Sequence, residues 1–340
     1  MERTLAELVA IDSTSSRSNV EIVRFLAERA EGLGLCARLL PYTDAAGVKK
    51  LQMVAVWPRS TRDDEVLELA FVGHTDTVPF DAAWAEALTL VEREGRLYGR
   101  GACDTKGFIA AALAAIGATR LASLKRPLAL VLTADEEVGC LGAKRLAEAR
   151  AFRARHAVVG EPTSLQPMRA GKGYCLADVT LRGREGHSAY PALGASAITR
   201  AARLVTGLER IAEELKRDAH EAFDPPHTTL NVGRISGGTA KNVIAGECRF
   251  TLEWRPVPGQ APELVADLLR QEVERLREAD EDFVCEIDVT RLDGGVETSA
   301  DAPLVRALEE ETGRAAGTIA FGTEAPQMAQ LGADAVVFGP

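Results

Sequence analysis

The sequence predicts an α/β protein in which a mixed, largely parallel sheet carries an inserted ferredoxin-like βαββαβ domain. Two observations lead to this fold class. Apolar stretches of strand length alternate with helical patterns through the first 172 residues, which is typical of a parallel sheet covered by helices on both faces. After about residue 175 the order changes to strand, helix, two strands, helix and strand, which is the split βαβ arrangement.

The first domain is expected to be discontinuous, spanning 1–172 and 293–340. We predict helices at 19–30 and 108–121 and strands at 35–42, 51–56, 66–72, 128–132 and 155–159. A helix over 302–313 and a short apolar strand over 334–338 then resume the pattern after the insertion.

The inserted domain is expected to span 173–292. Its predicted elements are strand 175–182, helix 194–216, strands 228–235 and 247–255, helix 262–279 and strand 283–291. Proline and glycine cluster near 160–173 and 292–303, where the chain would cross between the two domains.

Composition excludes several classes of function. The 340 residues are 46% hydrophobic with a net charge of −10, and the absence of a basic stripe argues against a nucleic-acid partner. No apolar run approaches the ~20 residues that span a bilayer, and the charged N-terminus does not resemble a signal peptide. The six cysteines lack CxxC spacing and are typical of reduced thiols, so we expect a cytoplasmic protein without a membrane partner.

Candidate metal ligands lie in four turns of the first domain. The turns end in residues that commonly bind metals: His74 with Asp76, Asp104, Glu136 with Glu137, and Glu161. We expect all four to follow buried strands of one sheet, at the edge where open α/β sheets bind ligands. Carboxylates crowded there repel one another, and divalent cations remove that repulsion. Each turn alone is explained as well by a solvated acidic loop or a surface pair.

The same turns carry a family resemblance. The segments Gly73–Pro79, Gly99–Gly107, Asp135–Glu137 and Gly160–Thr163 together resemble the M20 metallopeptidase and deacylase family, in the same order along the chain. The resemblance implies a zinc-hydrolase domain with an inserted lid domain, and it implies amide hydrolysis as the reaction.

The resemblance also implies a role for each candidate ligand. Asp104 would bridge two zinc ions, His74 and Glu161 would complete one zinc site, and Glu137 would bind the other zinc. Glu136 would be the general base, and Asp76 would orient His74. Imidazole and carboxylate suit Zn²⁺, and we expect that Co²⁺ can substitute.

The inserted domain carries matching features. The resemblance implies that His187 stabilises the oxyanion, that Asn242 contacts the substrate and that Arg255 binds a substrate carboxylate. Each has a simpler explanation when it is considered alone: a histidine at a helix N-terminus, a turn between strands and a surface charge. An exposed sheet edge in this domain could pair with a second copy, so we expect a homodimer.

The substrate is indicated by one further segment. Thr323-Glu324-Ala325 resembles a segment of the family's acetylornithine deacetylases, which implies N-acetylornithine as substrate and a role in arginine biosynthesis. Glu324 would then contact the basic amine of the substrate, although it is equally explained as a neighbour of a helix N-cap. A succinyl-diaminopimelate desuccinylase or another aminoacylase or peptidase of the family remains the alternative.

The sequence departs from the family in one respect. The family supplies its second zinc with a late histidine, and no histidine follows His227 here. The sequence either stops short of this ligand or belongs to a defective protein, so we expect the chain as written to hold the second metal weakly and to hydrolyse slowly. Two other classes of function stay open. One is a metal-binding scaffold without full activity, and the other is a nucleotide-binding protein, weakly indicated by Gly99-x-Gly101.

Overall fold

The computed structural model of the chain describes residues 1–62, 64–280 and 282–340. The helices are α1 Glu2–Val9, α2 Val20–Gly32, α3 Lys106–Ala118, α4 Leu141–Glu148, α5 Ala197–Leu215, α6 Leu264–Ala279, α7 Pro303–Thr312 and α8 Ala325–Gln330. The strands are β1 Cys36–Thr43, β2 Lys49–Trp57, β3 Val66–His74, β4 Val91–Arg93, β5 Arg96–Tyr98, β6 Leu128–Thr133, β7 Arg153–Val159, β8 Met168–Gly171, β9 Tyr174–Arg182, β10 Thr229–Gly237, β11 Glu247–Arg255, β12 Val284–Asp293, β13 Val296–Glu297, β14 Gly317–Ile319 and β15 Asp334–Val337. Among these helices, none combines the length and the apolar character needed to cross a bilayer.

The chain divides into two compact units. Unit 1 consists of 1–170, 297–317 and 323–340, and unit 2 consists of 171–296 and 318–322. The short segment 318–322 groups with unit 2, although no pattern in the sequence indicates this.

The larger sheet has four parallel strands at its centre. Its order is β1-β2-β6-β3-β7-β15-β8-β13, with β14 paired to β8. The neighbours β6, β3, β7 and β15 pair in parallel, whereas β1 pairs with β2, and β2 with β6, in antiparallel fashion. The prediction of a mixed, largely parallel sheet is therefore confirmed.

Strand β6 shows why the centre of this sheet is buried. All six residues of Leu128–Thr133 are buried. The three leucines pack in a cluster with helices α1, α2 and α3, while Ala129 and Val131 are buried on the opposite face. A strand covered on both faces needs a continuous apolar run rather than an alternating one, which is what the sequence shows here.

The parallel strands bring three of the four predicted turns to one edge. Strand β3 ends at His74, β6 ends at Thr133 shortly before Glu136, and β7 ends at Val159 shortly before Glu161. The carboxyl ends of neighbouring parallel strands lie at the same edge of a sheet, which is where ligand sites of α/β proteins form.

The expectation that Asp104 also follows a strand of this sheet is wrong. Strands β4 and β5 form a separate two-stranded hairpin, and Asp104 lies between that hairpin and α3. The hairpin strands are only three residues long and largely exposed, so they carry no pattern of apolar residues by which the sequence could show them.

Unit 2 has the predicted βαββαβ order. Its elements β9, α5, β10, β11, α6 and β12 form a four-stranded antiparallel sheet in the order β10-β11-β9-β12, with the two helices in one shared hydrophobic cluster. Along β9 and β11 buried residues alternate with less buried ones, as expected for a sheet with one face covered by helices.

A glycine at the end of β7 gives the first prediction. A Cβ on Gly160 would lie 2.2 Å from two ring atoms of Phe108, which is itself buried in α3. We therefore expect Gly160→Ala to lower the free energy of unfolding by about 1–3 kcal/mol, because the ring or the turn must move. Urea denaturation measures this change.

Gly32→Ala is the matched control. No atom lies within 4 Å of a Cβ at Gly32, which ends helix α2, so this change should leave stability equal or slightly higher. A Gly160→Ala protein as stable as the parent would contradict the packing described around Phe108.

Candidate metal centre

His74 is oriented by the residue two positions after it. The ring is 1% exposed, and its Nδ1 lies 3.0 Å from the backbone carbonyl oxygen of Asp76. When Nδ1–H donates to that carbonyl, Nε2 is left to bind a metal. Nε2 lies 2.8 Å from Oδ1 of Asp104. The carboxylate of Asp76 is farther away, 3.7 Å from Nδ1, so Asp76 holds the ring chiefly through its main chain.

The carboxylate of Asp76 instead holds the acidic turn after β6. Its Oδ1 accepts a hydrogen bond from the backbone N–H of Glu136 at 3.1 Å, and its Oδ2 accepts one from the backbone N–H of Glu137 at 3.3 Å. The hydroxyl of Ser15 donates a third at 2.8 Å. Because these bonds involve a charged acceptor, they are stronger than neutral ones. They tie the backbone of both glutamates to the strand end that carries His74.

Two groups of three side chains have the geometry of a metal site. One contains His74, Glu136 and Glu161, and the other contains His74, Asp104 and Glu137; within each group the ligand atoms lie within 4.8 Å of one another. The structure thus brings together all four ligands predicted from the sequence. It also places a carboxylate oxygen of Glu136, the residue predicted to be the base, within 4.8 Å of the ligand atoms of His74 and Glu161.

Burial and mutual repulsion perturb these groups. Burial, with the negative charge of Asp104 next in effect, raises the pKa of Glu137 to about 7. Burial also raises the pKa of Glu136 and of Glu161. For His74, burial favours a lower pKa, but the hydrogen bond to Asp104 and the surrounding carboxylates outweigh it and raise the pKa well above its usual range. The cluster therefore needs bound protons or a cation to balance its negative charge.

Glu161 shows that a cation fits this cluster. Its Oε1 is buried, and no hydrogen-bond donor among the described residues reaches it. A buried carboxylate oxygen without a donor is costly, and a metal ion bound there removes the cost. One imidazole nitrogen with several carboxylate oxygens is a donor set that Zn²⁺ binds.

Glu324 lies beside the same cluster, with no exposure to solvent. Within the described part of the chain neither carboxyl oxygen has a hydrogen bond of normal geometry, although Thr133 lies near enough to oppose the rise in its pKa. Burial raises the pKa of Glu324 to about 8, and the charges of Glu136 and Asp76 add to the rise. The predicted contact with a substrate amine requires this carboxyl to become accessible.

Unit 2 brings two of its predicted residues together. His187 forms an isolated β-bridge with Val243, and the backbone N–H of Ser188 donates to the carbonyl of Asn242 at 3.0 Å. His187 and Asn242 are both exposed. Adjacent segments of unit 2 thus present the two residues to solvent, where a ligand can reach them.

Arg255 is already engaged within unit 2. Its Nε donates to Oε1 of Glu253 at 2.8 Å, and its guanidinium carbon lies 3.7 Å from the centre of the Tyr174 ring. These contacts pre-orient the guanidinium, so the predicted binding of a substrate carboxylate would cost less conformational freedom.

Three residues that the sequence patterns do not single out support the acidic turn. Ser15 bonds Asp76, and both Tyr42 and Lys50 bond Asp135. The signal available in the sequence is a lysine within the largely apolar β2, a position that is unfavourable unless its charge is paired.

Comparison with known proteins identifies a family and its curated relatives. Residues 70–340 match the family described as peptidase family M20/M25/M40. The chain is 56% identical over 344 aligned residues to the acetylornithine deacetylase of Myxococcus xanthus, covering 100% of this chain and 89% of that protein. It is 35% identical over 337 residues to the acetylornithine deacetylase of Proteus mirabilis, covering 97% and 84%.

Solved structures share the fold. A tripeptidase from Staphylococcus aureus superposes with a TM-score of 0.76 over 99% of this chain and 88% of that chain. The two sequences are 22% identical, so this likeness concerns the fold alone.

The geometry predicts that metal binding depends on His74. His74→Ala removes the side chain shared by both ligand groups and should weaken Zn²⁺ binding by more than about 100-fold, since loss of even an outer-sphere partner costs 10–100-fold. Competition with a chromophoric chelator measures the affinity.

His156→Ala is the control for this experiment. His156 lies on β7 of the same unit and belongs to neither group, so its variant should bind zinc like the parent. Parental zinc affinity in the His74→Ala protein would show that the metal binds elsewhere.

Proposed function

The chain belongs to peptidase family M20/M25/M40, and from this premise we propose that it removes the acetyl group from N-acetylornithine. The chain is an amidohydrolase; the substrate, the number and identity of the metals and the cellular role are our proposal. The observation that carries it is the cluster of His74 with four carboxylates in unit 1. The identity of 56% to an acetylornithine deacetylase supports the choice of substrate.

We assign two zinc ions to the cluster, with cobalt able to replace them. Following the family resemblance, His74, Glu161 and Asp104 would hold the first ion, and Asp104 with Glu137 would hold the second. When bound, zinc would polarise the acyl carbonyl and lower the pKa of the attacking water.

Glu136 is the residue that we assign to proton transfer. Its backbone N–H donates a hydrogen bond to Asp76, which fixes the backbone from which the side chain extends. Its carboxylate takes one proton from the attacking water while the water oxygen bonds to the acyl carbon. It then returns that proton to the leaving nitrogen as the C–N bond breaks, which gives ornithine and acetic acid, and the acid ionises to acetate.

The family resemblance also implies roles for residues of unit 2. We assign His187 to the oxyanion, Asn242 to a polar substrate contact and Arg255 to the α-carboxylate of the substrate. Strand β10 lies at a sheet edge, and its Ile235 is 55% exposed, which supports pairing with a second copy of the chain. The proposed setting is arginine biosynthesis in the cytoplasm.

A change of one glutamate separates proton transfer from metal binding. Glu136→Gln keeps the size of the side chain but cannot accept a proton, so kcat should fall by about 10²–10⁴-fold with metal content unchanged. Elemental analysis and steady-state kinetics measure the two quantities. Glu148→Gln, at an exposed position on α4, should match the parent in both. Loss of metal together with activity would instead identify Glu136 as a ligand.

A substrate panel tests the proposed reaction. We expect kcat/KM for N-acetylornithine to exceed that for N-succinyl-diaminopimelate, N-acetylmethionine and a dipeptide by more than about tenfold. The Glu136→Gln protein, assayed in parallel, reports any contaminating hydrolase. A clear preference for another member of the panel would overturn the substrate assignment while leaving the reaction class intact.

A further inference from the structure

Asp135, immediately before the proposed base, has an unusual backbone conformation. Its φ is +58°, in the left-handed region that residues other than glycine enter at a cost. Its side chain is only 1% exposed. The backbone conformation of Asp135 sets the position of Glu136. Contacts of Asp135 must therefore stabilise this costly conformation.

Lys50 is one of the groups that hold it. The side chain of Lys50 is 1% exposed, and its Nζ lies 2.6 Å from Oδ1 of Asp135. The same ammonium donates to the backbone carbonyls of Ser15 at 2.5 Å and Arg17 at 2.9 Å. Three donors thus meet three acceptors, which is the full capacity of an ammonium group. A buried charge satisfied in this way is fixed in place.

Tyr42 holds the other oxygen of the same carboxylate. Its hydroxyl donates to Oδ2 of Asp135 at 2.7 Å. The guanidinium carbon of Arg145 lies over the face of the Tyr42 ring, 4.5 Å from its centre, and helps to restrain the ring. Both oxygens of Asp135 therefore have a partner from the β1–β2 hairpin, and these two bonds together fix the orientation of the carboxylate.

Lys50 reaches the turn by a second route. Ser15, whose carbonyl accepts from Lys50, donates its hydroxyl to Asp76 at 2.8 Å. Asp76 in turn accepts the backbone N–H of Glu136. One ammonium therefore braces the turn both at Asp135 and through the Ser15–Asp76 contact.

We propose that Lys50 and Tyr42 are positioning residues for Glu136, which they serve by fixing Asp135. Neither belongs to the metal-ligand groups, so they act through the backbone of the turn rather than on the reacting atoms. The inference rests on the proposed role of Glu136. It predicts a defect in the chemical step with substrate binding and metal binding preserved.

Tyr42→Phe is the principal test, because it removes one hydroxyl and keeps the ring. With the zinc-loaded full chain we expect kcat to fall about 10- to 100-fold, with KM, zinc content and melting temperature close to those of the parent. Lys50→Met should lower kcat at least as far, but it leaves Asp135 without its cation and can impair folding. Tyr42→Phe therefore decides the test. Lys49→Met and Tyr98→Phe, at exposed positions, are the matched controls.

A double-mutant cycle distinguishes positioning from general stability. If Tyr42 acts through Asp135, the effects of Tyr42→Phe and Asp135→Asn on kcat should be strongly non-additive. Parental kcat in Tyr42→Phe, additive effects, or parallel losses of zinc and melting temperature would each overturn the inference. The assays use whichever panel substrate the parent hydrolyses, so a wrong substrate assignment and a wrong positioning role give different results.

Discussion

The metal centre depends on one carboxylate, that of Asp76. Strands β3 and β6 pair in parallel with His74 opposite Thr133, so the turns that follow them leave the sheet at the same level. Asp76 joins these two turns, since its carbonyl faces the His74 ring and its carboxylate accepts the N–H groups of Glu136 and Glu137. These contacts of Asp76 thus set the distance between the ligand His74 and the proposed base Glu136.

The same geometry creates an electrostatic problem. Asp104, Glu136, Glu137 and Glu161 converge on a single imidazole, and Glu324 is buried beside them without a normal hydrogen bond from any described residue. Folding gathers these groups at a cost that hydrophobic contacts elsewhere in unit 1 must offset. A divalent cation turns the repulsion into attraction, so metal binding and stability of this edge of the sheet are coupled.

Much of the fold can be predicted from the sequence because the central strands contain apolar runs. The runs in β3, β6 and β7 are local patterns, and His74, Glu136 and Glu161 follow them closely. The surroundings of Asp104 are predicted wrongly because the β4–β5 hairpin is too short to show a pattern. The role of Lys50 escapes prediction because its burial depends on Asp135, 85 residues further along the chain. Contacts of that range leave no periodicity in a single sequence.

The contact between Lys50 and Asp135 also explains how three consecutive carboxylates can occupy one turn. Asp135 is neutralised by the ammonium and bonded by the Tyr42 hydroxyl, so it adds little repulsion to the cluster. Burial and the neighbouring carboxylates raise the pKa values of both Glu136 and Glu137. One carboxylate therefore serves the structure, and the other two stay available for a metal and a proton. If Asp135 bound the metal instead of Lys50, the ammonium of Lys50 would be left unpaired in the interior of unit 1, where burial makes an isolated charge costly.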